Sequence, residues 1–236
     1  MSLKNWDNKT WLSSKKYINS FNIFLLEQIR LNRNSKILDI GCGRGKICGS
    51  LSSVLNLKNK PIGLDLEKHV DRDKRINFKK IDAITFLKKD KKKFDLILIK
   101  QTIHFFNFQE INNLVSICKS KLYKGGKILI FTLGTIKNEI PTFLLMKKKL
   151  KNSLNRDKKI LRFLIKKYPK SKKKNFSFKV KISRNKYVEM IKNKYISTLL
   201  NFRPNKISQG IEEINNKYDK TLNFKDKLIC LIIKND

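Results

Sequence analysis

The 236-residue chain is predicted to form an α/β fold around a doubly wound, mostly parallel sheet. Three features point there. From residue 36 onward, short β-rich runs alternate with helical stretches, the pattern of parallel strands joined by crossover helices. Several of those runs are apolar at consecutive positions, as expected of strands buried on both faces. One of them delivers three alternate glycines, Gly41, Gly43 and Gly45, directly into a helix start.

The elements follow in order. Residues 15–30 are amphipathic, with Ile18, Phe21, Phe24, Leu25, Leu26 and Ile29 in one broad stripe that should dock beside the core. Strands are expected at 36–40, 61–65, 76–81, 94–100 and 127–132, the last after a Gly125-Gly126 turn, and all are expected to be buried. Residues 47–57, 85–89 and 108–122 read as intervening helices, the third with Ile111, Leu114, Val115 and Cys118 on one face. Beyond residue 132 the character becomes helical. Pro141 is placed to start a helix, 155–157 read as a break with a new cap, and Pro169 stops a second helix. Residues 176–182 alternate as a strand, 186–200 and 209–218 return to helix, and 227–233 form a final strand. One domain, 1–236, is expected: an N-terminal helical segment (1–35), a core (36–132), a helical cap that includes a strand (133–225), and the closing strand (226–236).

Apolar runs reach only six residues, so no membrane span is expected. Residues 1–10 lack the pattern of a signal or transit peptide, which leaves the cytoplasm as the expected location. Cys42, Cys48, Cys118 and Cys230 have no C-x-x-C spacing, and His69 and His104 are the only histidines, so reduced thiols and no metal site are expected. The net charge of +36 comes from 46 Lys and only 9 Arg, beside 24 Asn, 30 Ile and a single Ala. Lys, Asn and Ile have A/T-rich codons, and a phosphate reader would use more of the bidentate Arg. Base composition accounts for much of the charge, and nucleic acid is not the favoured partner. Residues 147–186 are basic beyond that background, with eighteen Lys or Arg against the single acid Asp157. This segment reads as an exposed insertion, an electrostatic funnel for an anionic substrate, or an RNA or membrane surface.

The chemistry concentrates in residues 37–47, where a buried strand carries Asp39 into the glycine loop. Without Cβ atoms, backbone can turn tightly there and approach a ligand closely. The spacing D-x-G-x-G-x-G differs from the G-x-G-x-x-G of dinucleotide sites. Gly63-Leu64-Asp65 ends the second strand with an acid, and a carboxylate there can accept both hydroxyls of a ribose.

On these residues the chain resembles the class I S-adenosylmethionine (SAM)-dependent methyltransferases, in particular small-molecule enzymes of the ubiquinone-biosynthesis and trans-aconitate types. Lys80-Ile81-Asp82-Ala83, the run 94–105 and Lys124-Gly125-Gly126 fall where that family has its further motifs. The resemblance implies a Rossmann-like seven-stranded sheet of order 3-2-1-4-5-7-6 with an antiparallel last strand. It also implies a SAM site. Asp39 and the backbone of Gly41, Cys42 and Gly43 would line the methionine half, Asp65 with Leu66 the ribose, Asp82 and Ala83 the adenine, and the backbone of Lys100 and Gln101 the cofactor's flank. His104, just past the fourth strand, would be a base or substrate orienter near the transferring methyl. The implied activity is methyl transfer to a small, possibly anionic metabolite. Two alternatives remain: an RNA or ribosomal-protein methyltransferase, and a non-catalytic SAM- or RNA-binding subunit. Neither the Asn/Asp-Pro-Pro-aromatic motif of amine methylases acting on nucleic acid nor a Pro-Cys nucleophile is present. The sequence does not indicate an oligomeric state.

Overall fold

In the computed structural model, which describes residues 9–235, the most apolar runs of the sequence occupy the middle of one sheet. β1 (Ile37–Ile40) and β4 (Phe94–Lys100) pair in parallel, with Leu38 opposite Ile97 and Ile40 opposite Ile99. β2 (Ile62–Asp65) and β3 (Asn77–Lys80) extend the sheet on one side. On the other lie β5 (Leu122–Leu133), β6 (Lys172–Ser183) and β7 (Thr221–Lys234). The order is β3-β2-β1-β4-β5-β7-β6, and β7 runs antiparallel to both neighbours, as the family resemblance implies.

Successive side chains on β4 feed opposite faces, as the two-residue period of a strand requires. Leu96 and Leu98 join one core with α1 (Lys15–Gln28) and α2 (Lys46–Val54). Ile97 and Ile99 join the other with α3 (Ala83–Lys89) and α4 (Phe108–Ser120). α5 (Leu144–Lys167) bridges the two. Phe143, at its N-cap, and Met146 pack into the first core; Ile160, Leu161 and Leu164 pack into the second. At about 1.5 Å per residue its 24 residues reach from one face of the sheet to the other.

The structure corrects several expected boundaries. No break occurs at 155–157, because α5 is continuous. Anchorage in a core at each end outweighs the weak helix propensity of Asn155 and Asp157. Pro141 does not start that helix; Leu144 does, and its N–H donates to Glu213 of α7 (Pro204–Lys217) at 2.8 Å, a cap supplied from a distant part of the chain. β3 is largely exposed, because it is an edge strand. Gly125 and Gly126 lie within β5 rather than in a turn before it. The helix expected at 186–200 stops early: α6 (Arg184–Lys192) gives way to Lys194 at φ +50° and a 3₁₀ turn, Ser197–Leu199. α7 in turn starts at Pro204, well before residue 209. β6 and β7 extend beyond the apolar runs into a long antiparallel ladder, Lys172 pairing Ile232 at one end and Ser183 pairing Thr221 at the other, with α6 and α7 between them in the chain. The reading of the N-terminus falls mostly on residues 1–8, outside the described residues.

Candidate active site

Ligands of open α/β sheets bind outside the carboxyl ends of the parallel strands, and there the chain has a cavity of about 370 Å³. The strand ends contribute Gly41, Asp65, Lys100 and Leu133. The opposite wall comes from the middle of α5 (Ser153, Arg156, Asp157), the turn at 195–198, Asp226 of β7, and Trp11 and Leu12.

The glycine loop leaves β1 beneath β2, with the N–H groups of Gly41 and Cys42 both donating to the Leu64 carbonyl at 2.8 and 3.0 Å. Gly41 has φ +70°, and a Cβ there would lie 2.1 Å from Thr102 Oγ1. Gly43 also has positive φ, +56°, but a Cβ there would meet no protein atom within 4 Å. The first glycine is required by packing; the second leaves space open. The Gly43 N–H donates to Asp65 Oδ2 at 2.8 Å, and the Glu67 N–H donates to Oδ1 at 3.0 Å. Burial alone would raise the Asp65 pKa, but the bonds from His69 and these two amides hold it below the usual carboxylate range.

Gly41, Asp65, Leu66, Asp82, Ala83, Lys100, Gln101 and His104 all line this one cavity. Asp39, Cys42 and Gly43 are not among its lining residues. Asp39 is buried and bonded to the Cys48 thiol, and desolvation pushes its pKa up to about 7, against the opposing influence of that bond and of Lys100. Asp82 caps α3, accepting the Thr85 N–H at 2.8 Å. Gln101 is held at φ +52°, an uncommon conformation for a non-glycine residue, with its N–H on the Phe131 carbonyl at 2.8 Å.

His104 sits in a 3₁₀ turn, Ile103–Phe105, and does not cap α4, whose N-cap is Asn107 in a reciprocal capping box with Glu110. Its Nε2 is buried with no hydrogen-bond partner. Desolvation, aided by the Arg156 charge, pushes its pKa down to about 4, so the ring is neutral at pH 7.

Four further residues at or beside the cavity were not singled out from sequence. Asp157 is 4% exposed, its Oδ1 has no partner, and desolvation raises its pKa to about 7 against the pull of Arg156. Asp226 is buried and accepts the Trp11 Nε1–H at 2.9 Å. The Tyr195 hydroxyl lies 2.9 Å from that of Tyr187, which donates to the Pro141 carbonyl. Only Asp157 left a trace in the sequence, as the lone acid among eighteen basic residues. Of those eighteen, Arg156 alone lines the cavity.

Comparison with known proteins agrees with this geometry. A family model described as "Methyltransferase domain" matches residues 37–126. A curated protein of Saccharolobus solfataricus named "Probable cobalt-precorrin-6B C(15)-methyltransferase (decarboxylating)" is 27% identical over 128 residues, covering 49% of this chain and 62% of the relative. The match thus spans under two thirds of that relative's length. Among solved structures, the plantazolicin methyltransferase BpumL, in complex with a monoazolic desmethylPZN analog and SAH, superposes with a TM-score of 0.55 at 17% identity, covering 98% of this chain and 88% of that one. A putative methyltransferase from Bacillus halodurans C-125 gives 0.54 at 15% identity, covering 92% of this chain and 99% of that one. Residues 37–126 are therefore a methyltransferase domain, and the chain that carries them has the fold of the class I SAM-dependent methyltransferases.

Proposed function

We propose that this chain binds SAM at the strand ends and transfers its methyl group to a small molecule held beneath the cap. One observation carries the reading: a single cavity is continuous from the glycine loop and Asp65 to the middle of α5. The residues present fit the cofactor. The space beyond Gly43 is open, Asp65 keeps an ionised carboxylate at the cavity wall, and Asp82 retains an oxygen after capping α3. Asp65 with Leu66 would hold the ribose, Asp82 and Ala83 the adenine, the backbone of Gly41 to Gly43 above buried Asp39 the methionine half, and Lys100 and Gln101 its flank. When bound, SAM supplies an electrophilic methyl on a sulfonium. The protein's task is then mainly to position the acceptor in line and exclude water. His104, neutral and unpartnered, orients the acceptor.

In this reading residues 36–132 hold the cofactor and 133–225 form the acceptor-side cap, in a cytoplasmic enzyme. Among the described residues no helix is long and apolar enough to cross a membrane. An anionic acceptor draws support only from the exposed lysines of the cap, since Asp65, Glu67, Asp82, Asp157 and Asp226 in the cavity face only Lys100 and Arg156 as permanent cations. The same lysines support the RNA-modifying alternative, for which salt-sensitive RNA retention is the discriminating measurement. Calorimetric titration tests the main proposal: SAM and SAH are expected to bind the wild type, and Asp65→Ala to weaken both by roughly 1–3 kcal/mol. Equal affinities in the two proteins would remove Asp65 from the site.

A further inference from the structure

A carboxylate on the buried face of a helix, with no bonding partner, is costly by several kcal/mol if ionised and is kept where it has work to do. Asp157 is such a group. It continues the buried stripe of Met146, Leu150, Ile160, Leu161 and Leu164 on α5, a face that is otherwise apolar. Its unpartnered Oδ1 and the unpartnered His104 Nε2 belong to side chains that line the same cavity, and the Arg156 guanidinium acts on both. That guanidinium is itself held on the far wall, donating to the Phe106 carbonyl at 3.0 Å.

Resting on the methyltransferase reading above, we propose that Asp157 takes the proton from the acceptor, so that the acceptor is a small amine or hydroxyl compound whose nucleophilic atom carries hydrogen. The step balances. The acceptor's lone pair forms the new bond to the methyl carbon, the pair of the broken S–C bond stays on sulfur, and the acceptor's proton passes to the Asp157 carboxylate and then to water. Of the two unpartnered groups, Asp157 suits proton removal, because a carboxyl raised to about 7 is a stronger base than an imidazole lowered to about 4. His104 is left to accept or direct a hydrogen bond. A carboxylic-acid acceptor, ionised at neutral pH, has no proton to give and would face the ionised form of Asp157 directly.

The test uses the full chain with ¹³C-labelled aspartate carboxyls, loaded with SAH, and benzylamine, phenol and benzoate as probes. Benzylamine or phenol is expected to move the Asp157 resonance, identified by its loss in Asp157→Asn, and to bind that variant about tenfold or more weakly. Benzoate should do neither, and SAH should bind both proteins alike. Whichever probe moves the resonance separates amine from hydroxyl. With methyl-labelled SAM, transfer to that probe is expected to be ~10²-fold slower in the variant. An unmoved resonance with both probes, equal probe affinities, no transfer by the wild type, or transfer equally fast in the two proteins overturns the proposal. Failure of the wild type to bind SAH instead overturns the wider reading, before any probe is added. Should Asp157→Asn not fold, Asp157→Leu, which completes the apolar stripe, takes its place with the same outcomes.

Discussion

At the scale of single residues, neighbouring glycines of one motif do different work. Gly41→Ala is expected to destabilise the fold by ~1–3 kcal/mol, because its Cβ would enter the space of Thr102, and denaturant midpoints should report it. Gly43→Ala would carry only the left-handed backbone cost of roughly 1–2 kcal/mol, its Cβ meeting no protein atom, so its larger effect is expected in SAM calorimetry. An equal loss of stability with intact SAM binding in both variants would mean that the open space is not the ligand's. Asp157 makes a pH prediction. Its folded pKa, about 7, lies above the unfolded value, so the native state holds the extra proton and this contribution to stability is lost as pH rises through about 7. Asp157→Asn should therefore gain on the wild type as pH rises from about 4 to about 7, by roughly 1.4 kcal/mol per pH unit, and level off above that. A constant difference across that range would show a normally titrating carboxylate. Asp65, with a lowered pKa, has the opposite sign: its contribution is present above the unfolded pKa and fades as acid protonates it.

At the scale of elements, the wall proposed for the acceptor depends on how residues beyond β5 are tied down. Tyr187 of α6 is fully buried, and its hydroxyl joins the Pro141 carbonyl ahead of α5 to Tyr195 beside the cavity. Tyr187→Phe leaves that carbonyl and hydroxyl short of a partner, and a loss of roughly 1–3 kcal/mol in denaturant unfolding is expected. An unchanged midpoint would mean that water replaces the bond. The parallel strands were legible in sequence because Ile37, Leu38, Leu96 to Ile99 and Ile128 to Phe131 are buried on both faces and must be apolar throughout. α5 was misread at its middle because Asn155 and Asp157 look like a cap locally, whereas packing at Met146 and at Ile160 to Leu164 settles the matter from both ends. The start of α5 was equally hidden, its cap being Glu213, nearly seventy residues away.

At the scale of the whole molecule, the charge and the site are separable. The +36 surplus lies on exposed lysines such as those at 172–174 of β6, while the cavity itself is rich in carboxylates. Retention of RNA or another polyanion is expected to weaken steeply with salt, whereas SAM affinity should change little. Neutralising Lys147, Lys148 and Lys149 tests the funnel. An anionic acceptor would show a raised Michaelis constant at an unchanged maximal rate; with the amine or hydroxyl acceptor proposed here, no such rise is expected. Lys149 also lies 4.9 Å from the Phe202 ring, so its loss should cost a little stability as well. The amino-acid sequence by itself determined the strand order through the family motifs, and supplied every residue of the cofactor half proposed above. Those residues lie in short segments, 39–43, 65–66, 82–83 and 100–104, each at the end of a strand or in the turn that follows it, so local pattern and position in the fold coincide. Only the tertiary structure brought together the residues proposed for the acceptor half. Trp11, Asp157, Tyr195 and Asp226 come from four distant parts of the chain, and what makes each of them notable is burial against the others' surroundings, a property that no local spacing encodes.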